Sequence, residues 1–166
     1  MIKRYFAAAA LALSAVGASY IASDEGVGPT VNENGQTLAV AYADPGVGWG
    51  LPTVCHGHTR GVFRGQRASL QQCQAWLIED ASYAGKAIAR CTPVSFTQQQ
   101  YDALVSFVFN VGAANYCGST LAKRINAGDC RGAAREISRW TRANGRVLSG
   151  LVKRRAGERA RFEADC

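Results

Sequence analysis

Two carboxylates and a hydroxyl fall within thirty-five residues near the start of this 166-residue chain: Glu25, Asp44 and Thr53, in the stretch Glu25–Thr59. A pair of carboxyl groups in unlike surroundings can break a glycosidic bond. One keeps its proton and protonates the leaving oxygen; the other stays ionised and serves the water or the sugar cation. Glu25, at the edge of an apolar run, suits the first role, and Asp44, in a polar Gly/Pro-rich turn, suits the second. The Thr53 hydroxyl can hold a water. Residue types alone are weak grounds, since two surface carboxylates are the ordinary reading of any such pair.

Other groupings allow other chemistry. Cys55-His56-Gly57-His58 offers nitrogen and sulfur ligands, and on a strand the two histidines would share a face, as in a zinc amidase. They are the only histidines in the chain, and no further ligand of suitable type follows, so no metal and no cofactor is expected. Asn110 is a candidate substrate contact, with a structural hydrogen bond as the equal alternative. Arg146 could approach Glu25 or simply be solvated. Trp140 and the helical aromatics read as core.

The elements that must position these groups change character along the chain. Residues 27–36 are polar and Gly/Asn-rich and read as a loop; Thr37–Tyr42 reads as a short strand, Asp44–Pro52 as turn-rich, and Thr53–Thr59 as a second strand. Val62-Phe63 would start a third. Helices follow. Ser69-Leu70-Gln71-Gln72 and Thr97-Gln98-Gln99-Gln100 are capping-box signatures. The apolar positions Leu70, Cys73, Leu77, Ala81, Ala84 and Ile88 predict one long helix to about Arg90. Tyr101 to Phe109 predict an almost wholly buried helix ending at Gly112. Ser119–Ala127 predicts a short helix closed by Gly128, Asp129 caps the next, Asn144-Gly145 is a turn, and Leu148 to about Ala164 forms a basic helix or two. The class is α+β: a small N-terminal β lobe, about 25–68, and a larger helical lobe, about 69–166.

Composition bounds the partners. The formal charge is +7, and residues 91–166 hold twelve Lys/Arg against six Asp/Glu. A basic half favours an anionic partner. The arginines alternate with apolar residues and form no dense tract, which disfavours nucleic acid. Six cysteines without any C-x-x-C pair suggest three disulfides in an exported chain.

Met1–Arg4 brings two positive charges ahead of nineteen uncharged residues, Tyr5–Ser23, long enough to cross a bilayer as a hydrophobic helix. The run is mostly alanine and would insert weakly. Three readings compete. One is a cleaved signal peptide, with Val16-Gly17-Ala18 as an acceptable cleavage site. Another is a permanent anchor, poorly supported by so much alanine. The favoured third is a weak anchor over residues 1–23 that inserts and later leaves the membrane uncleaved. All three place residues 24–166 outside the cytoplasm.

The order of blocks is more specific than any single group. Glu25-Gly26, then Ala41-Tyr42-Ala43-Asp44-Pro45, then Pro52–Thr59 (PTVCHGHT), resembles the E…D…T signature of the phage lysozymes. The similarity continues through Ser106–Gly112, Ser119–Leu121, Asn126–Asp129, Arg139-Trp140 and Gly150–Arg155, nearly the whole chain from Glu25 onward. That resemblance implies a lysozyme-like fold with a cleft between its lobes and a monomeric muramidase. Its target would be the β-1,4 bond between N-acetylmuramic acid and N-acetylglucosamine in peptidoglycan. It implies Glu25 as general acid, Asp44 and Thr53 as the water-handling pair, inversion at the sugar, and His58 paired structurally with Asp80. Two intervals depart from the pattern by being longer. Eighteen residues separate Glu25 from Asp44, with Gly28–Gln36 looking inserted, and eight separate Asp44 from Thr53. Loop insertions cost little, but this one leaves Asp24 and Glu33 as rivals for the acid. Glu25 is preferred for its Glu-Gly pair.

The N-terminus resembles the signal-anchor-release segment of some of these endolysins, which wait at the inner membrane and then act in the periplasm to lyse the host. Having no cysteine, this segment lacks the redox lock of some relatives. For the six cysteines the pairing proposed is Cys55–Cys73, Cys91–Cys117 and Cys130–Cys166, one of fifteen connectivities. A straight helix between Cys73 and Cys91 would hold them roughly 27 Å apart. The alternatives are a lytic transglycosylase, which would need Glu25 alone, and a non-enzymatic basic protein that harms membrane or wall by charge.

Overall fold

The computed structural model describes residues 4–44, 46–143 and 145–166. Met1–Lys3, Pro45 and Asn144 lie outside them, and with them part of the N-terminal charge, of the Ala41–Pro45 block and of the Asn144-Gly145 turn. The described residues form helices and small sheets, an α+β architecture, in two compact units, 18–80 and 1–17 with 81–166. The boundaries fall inside two helices, α1 (Ala15–Glu25) and α2 (Leu70–Cys91).

In unit 18–80, the stretch read as a loop is a hairpin. Strands β2 (Thr30–Glu33) and β3 (Gln36–Val40) pair antiparallel around Asn34-Gly35. Both turn residues have positive φ, 50° and 77°. That geometry matches the twist of the flanking strands and selects Asn-Gly. Strand β4 (Tyr42–Asp44) pairs with β5 (Gly48–Thr53), so the segment read as turn-rich is mostly strand. Beyond Thr53 the expected second strand does not continue. Cys55 has φ 57° and the chain closes a tight turn with a single bridge between Val54 and His58. Val62-Phe63 is not a strand either; the third partner is β6 (Arg67–Ser69), antiparallel to β3. A small core of Ala39, Ala41, Val54, Cys55, Ala68 and Cys73 fills the unit, with Val27, Val62 and Trp76 against it. The Cys55–Cys73 disulfide ties the turn to α2, whose first turn is capped by the Ser69 hydroxyl accepting the Gln72 N–H at 3.1 Å.

The other unit is built round helix α3 (Gln98–Val111). Its residues from Gln100 to Val108 are all buried, the polar Gln100, Asp102 and Ser106 among them. Thr97 and Gln100 form a full capping box at its start, and Gly112, at φ 84°, ends it. Strand β7 (Ser95–Phe96) precedes it. Helices α4 (Ala113–Cys117), α5 (Thr120–Asn126, capped by Ser119) and α6 (Cys130–Ile137, capped by Asp129) follow. The two-residue strands β8 (Arg142–Ala143) and β9 (Arg146–Val147) lead to α7 (Ser149–Glu163). Disulfides join Cys91 to Cys117 and Cys130 to Cys166. Beside α3, Glu158 is fully buried with Arg154 and Arg155. Its carboxylate accepts the Ser106 hydroxyl at 2.7 Å, Arg154 Nε at 3.1 Å and Arg155 Nη1.

The apolar run expected as one helix is divided. Strand β1 (Phe6–Ala7) pairs antiparallel with β7, a single 3-10 turn covers Ala8–Ala10, and only at Ala15 does α1 begin. No helix among the described residues is long and apolar enough to cross a membrane. The break has a local cause. The Ser14 hydroxyl accepts the Gly17 N–H at 3.0 Å, the bond that starts a helix. Ser14 itself is gripped by Asp102 of α3, whose carboxylate accepts its N–H at 3.0 Å and its hydroxyl. The Gln98 side chain donates to the Ala12 carbonyl at 2.9 Å. A backbone unpaired at Ala12–Ser14 would break a continuous helix; here α3 supplies the missing partners.

Candidate active site

Glu25 is the last residue of α1 and is half-buried. Gly26, at φ 67°, ends the helix, its N–H still donating to the Ala22 carbonyl at 3.0 Å. The next residues are fastened to the strands. The Gly26 carbonyl accepts His56 Nδ1 at 2.5 Å, Val27 packs on the small core, and the Pro29 carbonyl accepts the Val40 N–H at 2.9 Å. Gly28 passes so close to Tyr42 that a Cβ there would lie 2.8 Å from the ring.

Tyr42 is the hub. It faces Thr53 across the β4–β5 ladder and precedes Asp44 by two residues. Its phenol is pushed up first by burial, then by the negative charge of Asp44, then by that of Glu25. Asp44 and Glu25 thus both act on one hydroxyl. Asp24 is exposed beside Glu25 on α1, and Glu33 is bound by Arg67. Asp44 Oδ1 accepts the N–H groups of Gly46 and Val47 at 2.7 and 3.0 Å, which fixes the carboxylate by an Asx turn. Its Oδ2 takes no hydrogen bond from the described residues. Thr53 is buried, and its hydroxyl donates to the Leu51 carbonyl at 3.2 Å, leaving its lone pairs as acceptors.

The histidines do not converge. His56 is taken by the Gly26 carbonyl, while His58 is buried on the far side of the turn. There it stacks on Trp76 at 4.6 Å, with Nδ1 2.7 Å from Asp80 Oδ2 and Nε2 3.0 Å from the Arg60 carbonyl. The shared strand face that a metal pair would need is absent, because the positive φ at Cys55 turns the chain. Among the described residues no three His, Cys, Asp or Glu side chains are grouped to hold a metal ion. Asn110 lies in the other unit, on α3, where its amide oxygen accepts the buried Arg155 guanidinium. Arg146 is an exposed residue of β9.

Sequence reasoning missed Tyr42 and Trp49. Tyr42 stood inside the quoted Ala41–Pro45 block, and its spacing of two from Asp44 on a strand was the available signal. Trp49 is half-exposed on β5, with the Arg64 guanidinium 4.9 Å from its ring centroid.

The arrangement can donate a proton from one carboxyl group and orient a water with a second carboxylate and a hydroxyl. The phage lysozyme family model matches residues 34–158, a range that includes Asp44 and Thr53 and begins after Glu25. An endolysin of Acyrthosiphon pisum secondary endosymbiont phage 1 is 40% identical over 116 residues, covering 68% of this chain and 80% of that protein. The SAR-endolysin of Enterobacteria phage PA-2 is 37% identical over 145 residues, 86% of each. Among solved structures, the muramidase domain of SpmX from Asticaccaulis excentricus superposes with a TM-score of 0.78 at 30% identity, over 90% of this chain and 96% of that one. The chain belongs to the phage lysozyme family.

Proposed function

We propose that this protein is an endolysin that hydrolyses the β-1,4 bonds between N-acetylmuramic acid and N-acetylglucosamine in peptidoglycan and so lyses the host. Family membership supports the activity. The observation that carries the residue assignment is the meeting at Tyr42. Thr53 lies across the ladder, Asp44 two residues along, and the loop leaving Glu25 presses on the ring.

Glu25 protonates the glycosidic oxygen as the bond from the anomeric carbon breaks. A water held by Asp44 Oδ2 and Thr53 Oγ1 forms the new bond to that carbon, and its proton leaves through Asp44. The Gly46 and Val47 amides keep Asp44 aimed while charge develops. With both roles filled the sugar is inverted. The enzyme acts as a monomer.

The N-terminal run tethers the enzyme to the inner membrane until it is released into the periplasm. Kinship with SAR-endolysins supports this, as do the paired positions that the folded protein supplies for residues 6–14. Released, the run ends in α1 and thus in Glu25; inserted, it cannot make the Ser14–Asp102 bonds.

The test is expression of the whole chain in a Gram-negative host, with turbidity followed before and after the membrane potential is collapsed. Wild type should lyse the culture rapidly on collapse, and Glu25→Gln should not, losing at least about 10²-fold in rate as expected for a lost acid. Equal lysis by the variant would remove Glu25 from the role, and lysis without collapse would remove the releasable tether.

A further inference from the structure

The β4–β5 ladder changes register beside Asp44. Tyr42 pairs with Thr53 and Ala43 with Pro52, so the next rung of a regular ladder would join Asp44 to Leu51; Asp44 instead pairs with Gly48. Trp49, Gly50 and Leu51 are therefore extra residues on β5, inserted between the partners of two consecutive residues. Two of the three are large apolar side chains left 42% exposed, and Val47 in the turn is 62% exposed. None belongs to the unit's core.

Folding alone gives no reason for this. A bulge that served only to turn the chain would take small polar residues, and an indole in water gains nothing from packing. The indole is not bare, however. The Arg64 guanidinium stands 4.9 Å from its centroid, and Arg64 makes no ion pair among the described residues. A flat aromatic face on β5, the strand that holds the Asp44 partner and Thr53, is thus met by a planar cation from the turn before β6 that has no ion pair among the described residues.

From this, and resting on the glycosidase reading above, we infer that Trp49 and Arg64 form a substrate subsite. The indole stacks on the C–H face of a pyranose ring, and the guanidinium takes a carboxylate of the peptide stem that hangs from the glycan. The two halves fit different parts of one repeating unit. The C–H bonds on one face of a sugar suit an electron-rich ring. A carboxylate suits the fork of donors on arginine, and among the described residues Arg64 has no ion pair to break in binding it. Cation–π attraction keeps Arg64 over the ring until the carboxylate arrives. Position makes the subsite consequential: a sugar held at Trp49 lies along the strand from the water-handling pair, so it extends grip on the chain without touching the reacting atoms.

The experiment measures kcat and KM for the full chain on two substrates, intact peptidoglycan and glycan strands freed of their stems by an amidase. Trp49→Ala should lower kcat/KM roughly three- to tenfold on both, mainly through KM, as expected for a lost aromatic contact. Trp49→Phe should restore most of it. Arg64→Gln should show a comparable loss on stem-bearing substrate alone. Wild-type kinetics in Trp49→Ala on both substrates would overturn the subsite. Equal losses for Arg64→Gln on both substrates would overturn the carboxylate half and leave Arg64 as a support for the ring. If the wild type cleaves neither substrate, the glycosidase reading fails instead. Calorimetric titration with the N-acetylglucosamine hexamer then decides the subsite by itself: weaker binding in Trp49→Ala sustains it, and equal binding refutes it.

Discussion

Asp102 should hold the N-terminal segment in its folded place, and removing it should free that segment without unfolding the rest. Its carboxylate accepts the Ser14 N–H at 3.0 Å, the Ser14 hydroxyl, and the Gln98 amide at 2.9 Å. Only the first two bind the segment. A hydrogen bond to a charged group contributes about 1.5–3 kcal/mol. Two that share one carboxylate are not fully additive, so their joint loss in Asp102→Ala is about 3 kcal/mol. At 1.4 kcal/mol per decade, the population with the start of α1 undocked should rise about a hundredfold. Ser14→Ala keeps the backbone bond but loses the hydroxyl bond to Asp102 and the cap on Gly17, for about 2 kcal/mol. The double variant should cost less than the sum, by a coupling of about 1 kcal/mol or more. Native-state hydrogen exchange reads this directly. Amides at the start of α1, Gly17 among them, should lose about two decades of protection in Asp102→Ala, while those in the middle of α3 keep theirs. Two results would refute the reasoning: unchanged protection in α1, or an equal fall in both helices, which would mean that Asp102 supports α3 itself.

Two further substitutions probe the supports of the site and of the core. Gly28→Ala places a methyl 2.8 Å from the Tyr42 ring at φ 70°, whereas Gly26→Ala meets nothing within 4 Å at φ 67°. Both should cost about 1–2 kcal/mol from left-handed strain. Gly28→Ala alone should add about 1 kcal/mol or more from crowding and slow lysis by moving Tyr42; equal thermal shifts for the two variants would refute the close approach. Glu158→Gln keeps the shape of a fully buried side chain but removes the charge facing Arg154 and Arg155. It should lose about 3–5 kcal/mol, read from the denaturant midpoint at constant m. A loss below about 1 kcal/mol would show that the arginines find other partners.

The helices were legible in the sequence because their signals are local. Thr97 and Gln100, Ser119, Asp129 and Gly112 mark ends by bonds to their own near neighbours, and the apolar spacing between them does the rest. The β region was legible only in part. The hairpin at Asn34-Gly35 carried a plain turn signal, but its strands are too short and too polar to stand out from a loop. The fate of Thr53–Thr59 hangs on Cys55, a residue whose type gives no warning of positive φ. The bend there is imposed by the tie to Cys73 and the anchoring of His58 on Asp80. The candidate site shows the same division. The proposal of Glu25, Asp44 and Thr53 rests on the order of blocks, which a sequence can carry. The role of Tyr42 was not, because it arises from Gly28 and the end of α1 arriving from a different stretch of chain.

On the tether proposed above, one composition serves two surroundings, and the division of the apolar run follows from it. Nineteen uncharged residues satisfy a bilayer only if every backbone group bonds within the helix. In water that demand lapses, and the alanines contribute little burial to keep the helix whole. What then decides the outcome is the supply of external partners. The strand β7 offers its edge to Phe6-Ala7, the Val94 carbonyl accepts the Ala8 N–H at 3.1 Å, and Gln98 and Asp102 meet Ala12 and Ser14. Ser14 fits both states, since a serine in a membrane helix can bond back to its own backbone, while in the folded protein its hydroxyl caps α1. Gly17 has the corresponding property in packing: a Cβ there would lie 2.6 Å from Leu13 and 2.7 Å from Asp102, so only glycine lets this turn close on α3. On that proposal, the small and weakly polar residues that would make the run a poor anchor are the ones that the folded protein uses. A run made more apolar at positions 14 and 17 should hold the membrane better and dock worse.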